Sequence, residues 1–471
     1  MNISKATNPI APTADSSHHH YYDFFARFLA RLLARLLERP HLIWAVLIAF
    51  ALRLVVVAFV YQDFLVPGRE HWEFGYELGK ISYSIAHGHG FSNPYWVDTG
   101  PTAMITPVYP YLMSAVFSVF GAYTKAAALT VLGFNSLVSA LTCIPIFFLA
   151  RNGFGLRTAI VAVWGWAFFP YAVYFSASSM WYHSLVALLL TLLLLIASYL
   201  ETRSRLWMWA GFGVLWGVAA LITPVVLAVV PFLGGWVCYR LYRNRESWKL
   251  PAATALFALF VTVAPWMVRN ILVFHRPVFL KDNFWMEVCV GNLGNDRHWW
   301  ADATHPAANP AELDAFRKLG ELGYMARERR QALDFIQSHP GIYVWRSLRR
   351  VVYMWTGFWS LDPEYLRGEP FDLANIGFAT ALTILAMTGL YKALGSSRNT
   401  VMPYVLTLLT FPLAYYLTHS EISYRQPIDP ELVILASVAV VSWRKPVLKI
   451  PGFGKRKEVM ADARSMNPDA V

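Results

Sequence analysis

The sequence predicts an all-α polytopic membrane protein with about ten transmembrane helices and two large extracytoplasmic loops. Three observations predict it. Of the 471 residues, 56% are hydrophobic and only 15% charged, with a mean hydropathy of +0.41, which is more apolar surface than soluble domains hide from water. Apolar runs near the length needed to cross the bilayer, roughly 20 residues for about 30 Å of hydrocarbon, recur near 42–62, 127–150, 157–175, 181–200, 206–222, 224–240, 250–273, 371–394, 399–417 and 428–443. The basic residues between them (Arg151 and Arg157, Arg203 and Arg205, Arg240 to Lys249, Lys392 and Arg398, Arg444 onward) all fall on one side of the membrane if the runs alternate in orientation, which makes that face cytoplasmic and places both termini in it.

The chain divides into a cytoplasmic tail, 1–41, a transmembrane domain, 42–443, with outer loops 63–126 and 274–370, and a basic cytoplasmic tail, 444–471. Residues 1–22 are polar without a cleavable apolar core, so the first span is expected to act as the anchor. Arg27, Arg31, Arg35 and Arg39 then recur every four residues among Phe28, Leu29, Leu32, Leu33, Leu36 and Leu37, up to Pro40. That is a basic amphipathic helix for the anionic inner leaflet, where each Arg gains about 1 kcal/mol. The 206–222 and 224–240 pair is short and broken at Thr223-Pro224, so one kinked element is the alternative. Gly213 and Gly217 form a GxxxG pair for close helix packing.

The net charge of +11 follows from this positive-inside pattern and does not call for nucleic acid. Cys143, Cys238 and Cys289 are scattered, giving neither a disulfide framework nor a zinc-site spacing. No strand precedes any glycine-rich segment, so direct use of a nucleotide is not expected.

Long outer loops are where function is expected. In the first, a mixed polar helix is predicted from Glu70 to Gly90, followed by turns and an apolar run, Val108 to Phe120, too short to span. Glu70, Glu73 and Glu77 share one face of that helix; from spacing alone this is a solvated acidic face. In the second, Asn309-Pro310-Ala311-Glu312 reads as cap, first-turn proline and capping-box glutamate. After His339-Pro340 an amphipathic helix carries Arg346, Arg349 and Arg350, expected to form a solvated or headgroup-facing stripe.

The acidic helix before the segment 81–92 (ISYSIAHGHGFS), Pro101-Thr102-Ala103, Pro107-Val108-Tyr109-Pro110, 265–270 (PWMVRN), Gly291-Asn292 and 424–430 (YRQPIDP) occur in an order that resembles the polytopic GT-C glycosyltransferases. More narrowly, the set is similar to bacterial protein mannosyltransferases and aminoarabinose transferases, from about Arg53 to Trp443. The resemblance implies transfer of a sugar from a polyprenyl-phosphate donor to a glycan, lipid or protein acceptor, usually with inversion. It places the reaction on the outer face of the bacterial inner membrane, with membrane lipids as further partners and no nucleic acid.

A carboxylate must take the proton of the attacking hydroxyl, and Glu77 is the first candidate, Glu73 the second. Relatives more often carry an Asp at the start of this helix; this chain has none between Asp63 and Asp98, so the two glutamates stay undecided. The leaving phosphate must be met by fixed cations: Arg425 matches the resembled motif, Arg269 and Lys281 come second, and Arg53 reaches a phosphate or a buried acid from the first span. His419, Glu421, Tyr76, Tyr109 and Asn292 are candidate supports. His183 reads as a hydrogen-bonded histidine near the headgroups. No cofactor is certain; if a divalent metal assists the phosphate, Glu73, Glu77 and His183 are its candidate ligands, although their spacing gives no evidence for one.

Two rivals stand beside this reading, a transporter or flippase for the lipid carrier and a catalytically inactive carrier-binding protein. The first is disfavoured by the lack of an evident internal repeat and by few midplane charges.

Overall fold

The computed structural model describes residues 39–65, 72–95, 97–294, 302–368 and 372–443. The basic helix of 24–39 (Arg39 excepted) and the 444–471 tail lie outside them. Among the described residues the regular structure is helical, with one isolated bridge between Ser92 and Pro101.

Among the described residues six helical stretches are long and apolar enough to cross a membrane: Pro40–Val60, Lys125–Phe154, His183–Leu200, Lys249–Phe274, Asp372–Gly395 and Arg398–Leu417. Leu156–Phe168 and Pro170–Ser178, bent by 46° at Phe169-Pro170, make a seventh if taken as one span. Every run of the expected ten is helical, but Leu206–Ala220, Val230–Arg243 and Asp429–Trp443 fall short of a full span. The 206–240 region is two helices separated by a 3₁₀ turn, Pro224–Ala228, because Pro224 has no N–H to continue the first. Gly213 lets Leu206–Ala220 lie against Lys249–Phe274; a Cβ there would stand 2.0 Å from the Ala255 carbonyl oxygen.

Lipid-facing positions such as Leu47, Phe59, Phe257, Leu272 and Ile384 are exposed and apolar, while the small residues Ala45, Ala49, Ala159 and Ala162 are buried between helices. Arg53 is fully buried in the first span. Its guanidinium donates to Ser139 and Ser176 Oγ at 3.0 and 3.1 Å and to the Ala49 and Ala167 carbonyls, so it ties Pro40–Val60 to its neighbours.

The first outer loop departs from the expected helix. Trp72–Gly75 and Glu77–Ala86 are separate helices, because Phe74, Gly75 and Tyr76 all adopt positive φ. Glu73 and Glu77 therefore do not share a helix face. Val108–Phe120 is helical as expected.

In the second loop Asn309 caps Pro310–Ser338, its side chain accepting from the Ala311 N–H at 2.9 Å. Glu312, expected to reach back to the cap, pairs instead with Arg327 and accepts from Tyr324 Oη. The arginines of Pro340–Thr356 do not form the expected outward stripe. Arg346 and Arg350 donate to the carbonyls of Asn292 and Gly291 at the end of Phe284–Asn292, and Arg349 donates to Tyr353 Oη. The C-terminal carbonyls of a helix attract such cations. Ile342, Val344, Trp345, Leu348 and Val352 are the exposed large apolar residues of this helix.

Candidate functional site

A cavity of about 530 Å³ opens among the two outer loops, the ends of Pro170–Ser178 and His183–Leu200, and the segment 414–424. Its size suits a small-molecule ligand. Glu77, Glu287, Asp372 and Glu421 are its carboxyls, and Lys281 is the one Lys or Arg among the described residues lining it.

The left-handed turn at 74–76 sets Glu77 in the first turn of Glu77–Ala86 while Tyr76 faces the second loop, its hydroxyl donating to the Ala307 carbonyl at 2.9 Å. Tyr76 also carries Lys80 Nζ over its ring at 3.1 Å. Glu77 is 8% exposed. Burial pushes its carboxyl up to about 7, opposed by its own backbone N–H and by Lys80 and Lys281. His305 Nε2 stands 3.4 Å from Glu77 Oε1. Burial holds the His305 ring down to about 3, so it is neutral and this contact is not an ion pair.

Lys281 has its ammonium lowered by burial and supported by Glu287, Asp282 and Glu77. Across the same wall runs a chain of contacts: Asn283 Nδ2 donates to Glu287 Oε1, Glu287 Oε2 lies 3.3 Å from His419 Nδ1, and His419 Nε2 is 2.8 Å from Tyr424 Oη. His419 is likewise held near 3 by burial, whereas burial raises Glu421 to about 7. Gly291, in the Gly291-Asn292 pair, permits this wall: a Cβ there would meet the Thr418 carbonyl oxygen at 2.2 Å.

The structure thus brings Glu77, Lys281, His419 and Glu421 to one cavity. The side chain of Glu73 is outside the described residues. His183 lines the same cavity, whereas Arg425, Arg269, Tyr109, Asn292 and Arg53 stand off its wall. Arg425 donates to Asp429 at 2.7 Å and to the carbonyls of Trp355 and Ala379. Arg269 donates to the carbonyls of Thr102 and Phe91, both at 2.8 Å, and rests on Trp266. It clamps the Pro101-Thr102-Ala103 segment, whose Ala103 N–H is also bound by buried Glu321. Tyr109 donates to Asn135 Oδ1 at 2.9 Å, and Asn292 Oδ1 accepts from Arg350. Among the described residues no three His, Cys, Asp or Glu side chains gather as a metal-ligand set.

Sequence reasoning missed His305 and Glu287. His305 sits beside Pro306 in a stretch with no periodicity, and Glu287 is one carboxylate in an apolar helix; only their packing against Glu77 and His419 marks them.

The fold and cavity define a polytopic helical membrane protein with an acid-lined pocket served by one lysine. No protein-family model and no curated protein matches the chain. Among solved structures, it is similar to the oligosaccharyltransferase AglB of the archaeon Archaeoglobus fulgidus in complex with an inhibitory peptide and a dolichol-phosphate, with 14% identity over 92% of this chain and 52% of that one and a TM-score of 0.49. It is similar to ArnT of Cupriavidus metallidurans in the apo state, with 15% identity over 85% of this chain and 60% of that one and a TM-score of 0.48. The same ArnT bound to undecaprenyl phosphate gives 15% identity over 85% and 60% of the two chains and a TM-score of 0.46. The chain spans about half the length of the archaeal enzyme.

Proposed function

We propose that the protein is a membrane glycosyltransferase that moves a sugar from a polyprenyl-phosphate donor to an acceptor hydroxyl or amine on the outer face of the cytoplasmic membrane. The observation that carries this reading is that Glu77 and Lys281 line one cavity, a carboxylate titrating near neutrality and a half-buried cation that act on each other electrostatically.

The chemistry follows from their properties. The Glu77 carboxylate takes the proton of the acceptor hydroxyl as its oxygen bonds to the anomeric carbon. The bond from that carbon to the phosphate oxygen breaks on the opposite face, its electron pair leaving with the phosphate, so the configuration inverts. Lys281 meets the charge that develops on the departing phosphate. It takes the role first assigned to Arg425, whose guanidinium is committed to Asp429. Apolar side chains at the cavity, among them Phe175, Phe279 and Phe284, suit an isoprenoid chain.

The test is the surface-glycan and glycolipid mass profile of a strain lacking the gene, complemented with wild type or Glu77→Gln at equal membrane abundance. Loss of one sugar, restored by wild type and not by Glu77→Gln, supports the reading. Full restoration by Glu77→Gln removes Glu77 from catalysis. An unchanged profile on deletion favours a carrier-binding or flippase role.

A further inference from the structure

Neither ring nitrogen of His183 has a hydrogen-bond partner among the described residues, although the side chain is 2% exposed and lines the cavity. Asn283 repeats the pattern from another element. Its Nδ2 donates to Glu287, while its Oδ1 has no partner, and the residue is 4% exposed on the same cavity. Buried polar atoms are nearly always paired, so each such atom calls for a ligand or another explanation.

The chemistry of these atoms restricts what fits. A neutral imidazole offers one donor and one acceptor, and Asn283 Oδ1 adds a second acceptor. An anionic phosphate brings only acceptors, so it leaves two of the three unmatched. A hydroxyl both donates and accepts, so the several hydroxyls of a sugar supply the donors and the acceptor that these atoms call for. The surroundings agree: ring centroids of Tyr182, Phe175 and Tyr424 lie 5.0, 5.6 and 5.7 Å from that of His183, and Trp181 lies 6.4 Å away at an interplanar angle of 21°. Aromatic faces of this kind pack against the C–H face of a sugar ring.

We infer that His183 and Asn283 form a subsite for the hydroxyl groups of the donor's sugar, with the aromatic side chains around His183 bounding its ring. This rests on the glycosyltransferase reading and adds which part of the substrate the wall recognises. His183 is then a binding residue that separates the sugar-loaded carrier from the spent one.

The test uses the full chain in lipid nanodiscs and measures Kd for bare undecaprenyl phosphate and for undecaprenyl phosphates carrying glucose, galactose, N-acetylglucosamine or arabinose. Wild type is expected to bind at least one loaded carrier about tenfold or more tighter than the bare carrier, the scale of a matched hydroxyl in a buried site. His183→Phe removes that preference and leaves the bare-carrier Kd within about twofold; His183→Gln, which keeps a donor and an acceptor, retains part of it. A deoxy analogue lacking the recognised hydroxyl reproduces the loss in wild type and adds none in His183→Phe. The subsite is overturned if wild type shows no sugar preference, or if His183→Phe keeps it or weakens bare and loaded carriers alike. No binding of any carrier overturns the glycosyltransferase reading itself, a different result from bare-carrier binding without preference.

Discussion

His305 Nε2 lies 3.4 Å from Glu77 Oε1, so the second outer loop closes on the carboxylate of the first. The Ala307 N–H donates to His305 Nδ1 at 3.1 Å. With Nδ1 accepting, the single proton of the neutral ring sits on Nε2, facing the carboxylate. His305 therefore favours the charged form of Glu77 against burial.

Replacing His305 by Phe takes that donor away. The ascending limb of the pH–rate profile is expected to move to higher pH, with maximal rate largely kept once Glu77 is ionised. A profile unmoved from wild type would show that the contact has no electrostatic consequence.

With Glu77 raised to about 7 by burial, transfer needs its deprotonated form, so the rate should climb through neutrality to a plateau above it. Glu77→Gln should lower transfer by about 10²–10⁴-fold on the plateau, the usual range for a general base, and leave a residual rate that does not rise through neutrality. Initial rates between about pH 5.5 and 9 decide this; a rate that falls through neutrality contradicts a base role.

Lys281→Met should weaken binding of the bare phosphate carrier and slow transfer, while Lys281→Arg keeps part of both. Since a Lys near phosphate acts as a point charge, carrier affinity should also fall as salt rises in wild type and less steeply in Lys281→Met. Equal salt dependence in the two proteins would remove Lys281 from the phosphate site.

Arg425→Ala strands Asp429, which is fully buried, and breaking a buried pair from one side costs about 3–5 kcal/mol. The expected result is a large drop in thermal stability in detergent, also at pH values where the donor is absent from the assay. Normal stability with lost carrier binding would instead restore Arg425 to the phosphate site.

Stability itself should depend on pH. Burial raises Glu77 and Glu421 from 4.5 to about 7, so between those values the folded chain holds protons that the unfolded chain has released. Because the unfolded state binds fewer protons there, stability falls as pH rises through this window. Melting temperatures in detergent should decline across it, and Glu421→Gln should flatten the decline; a rise would reverse the sign.

Much of this was legible in the residues. Runs of apolar sequence marked each helix, and Asn309-Pro310 marked the start of Pro310–Ser338 with its cap. Glu77 could be singled out, but the face it was assigned to share with Glu73 does not exist, because three consecutive positive-φ residues interrupt the helix. Periodicity assumes a continuous helix, and only Gly75 hinted otherwise. The arginines show the same limit of sequence reading. Sequence shows that Arg53, Arg269, Arg346 and Arg425 carry charge near a membrane, but not that carbonyls and hydroxyls of distant segments already occupy their donors.

The sequence by itself determined a helical membrane protein with two long segments between its apolar runs, because apolar length is a local property of the chain. Tertiary structure alone decided which polar groups meet. His305 and Glu77, Glu287 and His419, and the cavity shared by Lys281 and His183 are brought together by packing of segments far apart in the chain. Burial in that packing, which no single residue encodes, is what moves Glu77 toward neutrality.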